Sequence, residues 1–142
     1  MKYFIDTNIF LRIFTDDDPN KSKQCIALLK KLSFDQNLLF TSTIVVCEII
    51  WTLQTQYKFS LSKIKEYVEA IHNTSNLTIL PAENEAMLVQ ALSLAEEHNI
   101  DFIDAYNARI MQANNISKVV TYDKHFKRLS DIEYITPLPQ VL

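Results

Sequence analysis

The sequence predicts an α/β fold, with a parallel sheet covered on both faces by helices. Three observations carry that expectation. Short apolar segments alternate with longer amphipathic ones along the whole chain, the pattern of strand–helix–strand units. The four prolines, Pro19, Pro81, Pro137 and Pro139, fall in short connections, and no repeat, low-complexity tract or linker interrupts them. A single domain over 1–142 is therefore expected. Finally, 142 residues that are 48% hydrophobic and 22% charged suit a chain that buries about two-thirds of its surface rather than a disordered one.

The elements follow in order. Lys2–Ile5 reads as a strand ending in Asp6-Thr7-Asn8, and 9–14 as a short helix. Asp18 offers an N-cap and Pro19 a first helical position, the preferred residues for those places. Ile26, Leu28, Leu29 and Leu32 give the helix that follows its apolar side. Residues 38–41 form a second strand, and Ser42 or Thr43 caps a helix to about Gln56. Ser60 opens another, with Leu61, Ile64, Val68 and Ile71 on one stripe. Leu77–Leu80 is a third strand, stopped by Pro81. Residues 84–98 are amphipathic through Met87, Leu88, Ala91, Leu92 and Ala95. Asp101, or a neighbour, caps a helix to about Asn114. A fourth strand over 118–121, a short helix over 123–129 and a candidate fifth strand over 133–136 complete the chain.

Composition removes several function classes. There is no glycine, so phosphate cradles of the G-x-x-x-x-G-K-S/T and G-x-G-x-x-G kinds are excluded, as is the G-x-S-x-G hydrolase elbow. Left-handed backbone positions are expected to fall to Asn, of which there are ten, with Asn73, Asn99, Asn114 and Asn115 near helix ends. A net charge of −3 argues against broad, nonspecific binding to nucleic acid. The two cysteines, Cys25 and Cys47, have no His partners in a zinc spacing. Both are expected to be buried, inert thiols. The first residues reach Asp6 after only three apolar side chains, too few for a signal peptide or a membrane span. A cytoplasmic protein without membrane association is the expectation.

In a parallel sheet, ligands bind beyond the carboxyl ends of the strands. Asp6 follows the first strand and Asp123 follows the fourth, so both carboxylates are expected at one sheet edge. Glu48 is the sole charge in the apolar run 43–53. A carboxylate buried there needs a Lys or Arg partner or a bound cation, and the cation is the better account. Asp101 suits the N-cap of the helix over 102–114, and Asp104 suits its positive end. Singly, each acid has an ordinary structural explanation. Together, three or four carboxylates without Cys or His partners suit a hard, oxygen-loving cation such as Mg²⁺ or Mn²⁺. Metal-assisted hydrolysis of a phosphodiester is a chemistry such a cluster serves.

At these residues the chain resembles the PIN domain family, and most closely its VapC-type ribonuclease toxins of type II toxin–antitoxin systems. The matching pieces are Ile5-Asp6-Thr7-Asn8, Glu48 in its apolar helix, Asp101-Phe102-Ile103-Asp104-Ala105 and Val120-Thr121-Tyr122-Asp123-Lys124-His125-Phe126. The resemblance implies a PIN-like three-layer α/β/α sandwich with a central parallel sheet of four to five strands. It implies a Mg²⁺ or Mn²⁺ pocket in which Asp6, Glu48, Asp104 and Asp123 are the catalytic and metal-holding acids, Asp6 and Asp104 foremost. Thr7, Asn8 and Thr121 are the implied hydrogen-bonding neighbours, and Asp101 is secondary. An RNA substrate cut by water to a 5′-phosphate and a 3′-hydroxyl, a homodimer and a cognate antitoxin protein are likewise implied. The relatives' glycine before strand four is absent here, and Asn115 stands ready for that turn.

Two other readings compete. A non-catalytic PIN-like RNA- or protein-binding module would commonly lack one of the acids, and all four are present. A small-molecule phosphatase would need a D-x-D-x-T nucleophile, whereas Asn8 holds the second Asp position. The remaining polar features have simpler explanations. His125 reads as a surface helix residue, Asp16-Asp17-Asp18 as a solvated loop with an N-cap, and Lys21, Lys23, Lys30 and Lys31 as a solvated helix face. Tyr57 and Phe59 read as ordinary packing residues, and Trp51 as part of a protein interface.

Overall fold

The computed structural model describes residues 1–139, so the last three residues of the expected domain lie outside it. The first elements are β1 (Lys2–Ile5), α1 (Thr7–Thr15), α2 (Pro19–Phe34), β2 (Leu38–Ser42), α3 (Thr43–Thr55) and α4 (Leu61–His72). After them come β3 (Leu77–Leu80), α5 (Glu85–His98), α6 (Phe102–Ala113), β4 (Lys118–Val120), a 3₁₀ turn (Lys124–Arg128) and β5 (Glu133–Ile135). All four strand pairings are parallel, in the order β3-β2-β1-β4-β5. Right-handed crossovers then put α1 to α4 on one face and α5 and α6 on the other. Successive residues of the central strands point to opposite faces. Phe4 and Ile5 in β1, like Val119 and Val120 in β4, are all fully buried, so both faces are covered. The fold is the α/β sandwich with a parallel sheet that the sequence predicts, with five strands.

Caps set the boundaries. Asp18 accepts from the Lys21 amide and Ser60 from that of Lys63, each capping its helix as expected. Ser42, rather than Thr43, caps α3 by accepting from the Val45 amide at 3.0 Å. The first helix starts earlier than the sequence suggests, at Thr7, because the Asp6 carboxylate accepts from the Thr7 amide at 2.8 Å and stands as its N-cap. The 123–129 segment is a 3₁₀ turn rather than an α-helix, opened by Asp123 and pinned by fully buried Phe126. Among the described residues, no helix is long and apolar enough to cross a membrane.

The apolar run of α3 divides between core and surface: Val45, Val46, Ile49, Thr52 and Leu53 are buried, while Cys47 and Trp51 are exposed. Two expectations need correction. Of the two thiols, Cys25 is buried but Cys47 is exposed. Left-handed backbone falls to Asn only at Asn99 and Asn115; Asp16, Gln36 and Lys58 occupy the other three such positions. Asn73 and Asn114 end their helices at negative φ. Gln36 and Lys58 follow the last turns of α2 and α3, where the chain must reverse at once.

A β-carbon costs about 1–2 kcal/mol in that conformation, partly offset by the chain entropy a glycine adds when unfolded. Gln36→Gly and Lys58→Gly are therefore expected to stabilise the protein by about 0.5–1 kcal/mol each. Urea unfolding midpoints measure this, and lower midpoints for both would contradict it.

Candidate active site

The strand order reverses at β1, with β2 on one side and β4 on the other. The crossovers on either side leave on opposite faces there, and a crevice opens beyond the carboxyl ends. Asp6 emerges into it from β1, and Thr121, Tyr122 and Asp123 from β4. The Asp6 amide still donates to the Val120 carbonyl at 3.1 Å, so the pairing of the two strands runs up to the site.

A closed set of hydrogen bonds fixes this edge. Thr121 Oγ1 donates to Asp6 Oδ2 at 2.7 Å and accepts from Asn8 Nδ2 at 3.0 Å and from the Asp123 amide at 2.9 Å. The same Asn8 nitrogen donates to Asp6 Oδ2 at 3.1 Å, and Asn8 Oδ1 accepts from the Tyr122 amide at 3.0 Å. Thr121 and Asn8 thereby use every donor and their main acceptors, which settles the orientation of the Asn8 amide. Asp6 Oδ2 is fully engaged. Asp6 Oδ1 accepts only from the Thr7 amide, which leaves it one lone pair.

The other acids come from helices. Glu48 lies in the second turn of α3 and Asp104 in the first turn of α6. Ser42, the α3 cap, donates to Asn107 Oδ1 on α6 at 2.6 Å, and this buried bond sets the two helices relative to each other. Asp6, Glu48, Asp101, Asp104 and Asp123 all line one cavity of about 310 Å³, and no Lys or Arg is among its lining residues. Asp6 and Asp104 are buried, Glu48 and Asp123 half-buried, and Asp101 exposed. Among the described residues, no basic side chain pairs with Glu48. Asp101 stands at the N-cap position of α6 but makes no side-chain cap bond, so the capping role expected of it is not filled.

Two residues that sequence reasoning set aside or passed over belong to this site. His125 is not a free surface residue: its Nδ1 lies 3.3 Å from Asp104, 3.4 Å from Asp123 and 3.8 Å from Asp101. Asn107 is fully buried, one turn beyond Asp104. Its spacing of three from Asp104 was the available signal, because such residues share a helix face. By contrast, the Asp16-Asp17-Asp18 run forms no cluster. Asp18 caps α2, while Asp17 accepts from Arg12 and Tyr57. Phe59 packs against Tyr57 and Tyr67, as expected.

Burial and neighbouring acids, with no lining Lys or Arg, raise the pKa of Asp6 and Asp104. Burial is the largest cause at Asp6, and the charges of Glu48 and Asp123 add to it against the Thr121 and Thr7 bonds, pushing Asp6 up to about 6. Burial again dominates at Asp104, followed by the Asp6 charge and by Asp123, and Asp104 is pushed up to about 9. The folded protein thus holds protons that the unfolded chain releases near pH 4, so stability falls as pH rises through these two values. For Asp6, a rise of about two units corresponds to roughly 3 kcal/mol. Chelator-treated protein is therefore expected to lose stability from pH 5 to pH 9. Asp104→Asn, which keeps the shape of the protonated acid, should raise the pH 8 melting temperature by at least about 3 °C. Thermal scans in EDTA across pH test this, and a flat profile for the parent protein would refute it.

Comparison with known proteins gives the chain's family and fold relatives. A VapC ribonuclease of Aquifex aeolicus (strain VF5) is 25% identical over 125 residues, covering 88% of this chain and 90% of that protein. Two solved structures share the fold. Mycobacterium tuberculosis VapC20, a Sarcin-Ricin loop cleaving toxin, superposes with a TM-score of 0.71 at 17% identity, over 90% of this chain and 95% of that one. VapBC2 from Rickettsia felis, bound to a DNA fragment from its promoter, gives 0.70 at 20% identity, over 96% and 98%. The PIN domain family model matches residues 3–132, a span that includes every acid of the cavity, and the chain belongs to the PIN domain family.

Proposed function

We propose that this chain is a divalent-metal-dependent endoribonuclease, the toxin of a toxin–antitoxin pair, acting through a single PIN domain. The observation that carries the reading is the convergence of Asp6, Glu48, Asp104 and Asp123 on one cavity with no Lys or Arg lining it. A cation fits the groups that are there. Asp6 Oδ1 accepts only from the Thr7 amide and keeps a lone pair, and the acids lining the cavity offer oxygen donors. Oxygen donors of this kind suit Mg²⁺ or Mn²⁺.

Asp6 and Asp104, buried and held by their surroundings, are the residues that would hold the ion, with Glu48 and Asp123 completing the set. A bound ion of this class draws charge from the phosphodiester oxygens and makes water more acidic. Around it, the half-buried carboxylates of Glu48 and Asp123 are placed to accept a proton from the attacking water. Attack by water on the phosphorus, with the P–O3′ bond breaking and the 3′-oxygen leaving as the hydroxyl, gives products with a 5′-phosphate and a 3′-hydroxyl.

The named relatives support a partner of the antitoxin class, because several of the structures sharing this fold are VapBC or FitAB complexes. A homodimer is supported by apolar side chains left outside the core: Trp51 on α3, and Leu88, Val89 and Leu92 on α5. Leu92 lies four residues from Leu88 and three from Val89 on one helix, and exposed apolar surface of that kind marks protein interfaces.

Cleavage of a labelled panel of structured RNAs, with Mg²⁺, with Mn²⁺ and with EDTA, tests the activity. Cutting is expected with either ion and not with EDTA. Asp6→Asn and Asp104→Asn are expected to lower it at least about 100-fold, as loss of metal-supporting groups does, with unchanged far-UV circular dichroism. Undiminished cutting by both variants would refute the metal assignment. Failure to bind Mn²⁺ or to cut any RNA would favour the binding-module reading.

A further inference from the structure

The neighbourhood of His125 goes beyond an all-carboxylate site. Asp123 opens the 3₁₀ turn by accepting from the His125 amide at 2.9 Å. The next residue, Phe126, is fully buried and anchors the turn in the core. The imidazole is thereby held over the acids, with Nδ1 3.3 Å from Asp104 Oδ2, 3.4 Å from Asp123 Oδ1 and 3.8 Å from Asp101 Oδ2. A single ring nitrogen carries at most one proton, so it can donate to only one of three oxygens. The Nδ1 proton alone therefore does not account for all three close carboxylate oxygens.

The distances suit a shared ion. One ligand atom each from Asp101, Asp104 and His125 lies within 4.8 Å of the others. Bonds of about 2.1 Å in an octahedral shell separate adjacent ligand atoms by about 3 Å and opposite ones by about 4.2 Å. Asp6, buried on the wall of the cavity it shares with Asp101 and Asp104, keeps a lone pair on Oδ1 that receives no donor beyond the Thr7 amide.

We propose that His125 Nδ1 is a metal ligand, joined to Asp104 and Asp101, and that it biases the site toward Mn²⁺ over Mg²⁺. The inference rests on the metal reading of the proposed function and deepens it. Mg²⁺ is bound through oxygen and keeps much of its water, whereas imidazole favours first-row transition ions. Asp101, exposed and free of a capping bond, is available to swing onto the ion.

The test uses Mn²⁺ itself as the probe. Electron spin echo spectra of the purified protein with Mn²⁺ bound are expected to show nitrogen hyperfine coupling, which His125→Gln removes. The same variant is expected to weaken Mn²⁺ at least about 10-fold, the low end of the loss seen when the support of a metal site is removed. Mg²⁺, measured by competition, should weaken less, so that the ratio of the two affinities falls. Bound Mn²⁺ without nitrogen coupling in the parent protein would overturn the assignment of His125 and leave the metal reading standing. An unchanged affinity ratio in His125→Gln would overturn the selectivity. Absence of Mn²⁺ binding by the parent protein, or binding unaltered in Asp104→Asn, would overturn the metal reading and this inference with it.

Discussion

The hydrogen-bonded node of Asp6, Asn8 and Thr121 is the constraint on which the site depends. It joins the ends of two strands that lie side by side in the sheet but are separated by most of the chain. Each partner is committed: the threonine hydroxyl gives its one proton to Asp6, and both amide protons of Asn8 are spent on the same corner. The buried aspartate is thus held by three donors on two oxygens. One lone pair remains, and its direction is set by the other three bonds. Asp123 inherits the geometry, since its amide donates to the same threonine oxygen before its own carboxylate turns to cap the next turn.

Around this node the fold collects charge that it does not neutralise. A helix N-terminus favours the Asp104 carboxylate, yet burial and its neighbours outweigh that and drive its pKa upward. The Ser42–Asn107 bond has the matching role on the opposite wall. It ties α3, which carries Glu48, to α6, which carries Asp104, so the two walls of the cavity keep their spacing. On the proposed function, a bound cation is what offsets this gathering of acids.

Which features were legible in the sequence depended on how local their causes are. Alternating apolar segments gave the strands and helices, and a carboxylate at each of two strand ends implied a common edge, because parallel strands end together. Glu48 stood out by contrast with its apolar neighbours. His125 did not, because its position depends on the 123–129 segment closing as a 3₁₀ turn rather than an α-helix, a choice made by the Asp123 cap and the burial of Phe126 together. Asn107 looked like one polar residue among others on α6. Only the packing of α6 against the end of β2 brings it to Ser42. The exposure of Cys47 was hidden for the opposite reason: an apolar helix gives no sign of which face the sheet will leave uncovered. Left-handed turns at Gln36 and Lys58 had no marker at all in a chain without glycine.

That absence of glycine also bears on how the chain meets phosphate. Backbone cradles approach an anion with several amides at once and need residues without side chains to do so. This chain has no such segment, and its net charge is negative. An RNA phosphate approaching the bare cavity meets five carboxylates. On the proposed function, affinity for the scissile phosphate and activation of the water therefore share one requirement, a bound cation, and neither is available without it. Lysines elsewhere, such as Lys23, Lys30 and Lys31 exposed along α2, add attraction to the polyanion at a distance. They cannot offset the repulsion at the reacting centre, because screening confines each to about 10 Å. On that reading the metal gates the site, and substrate binding and chemistry are switched together by the same carboxylates.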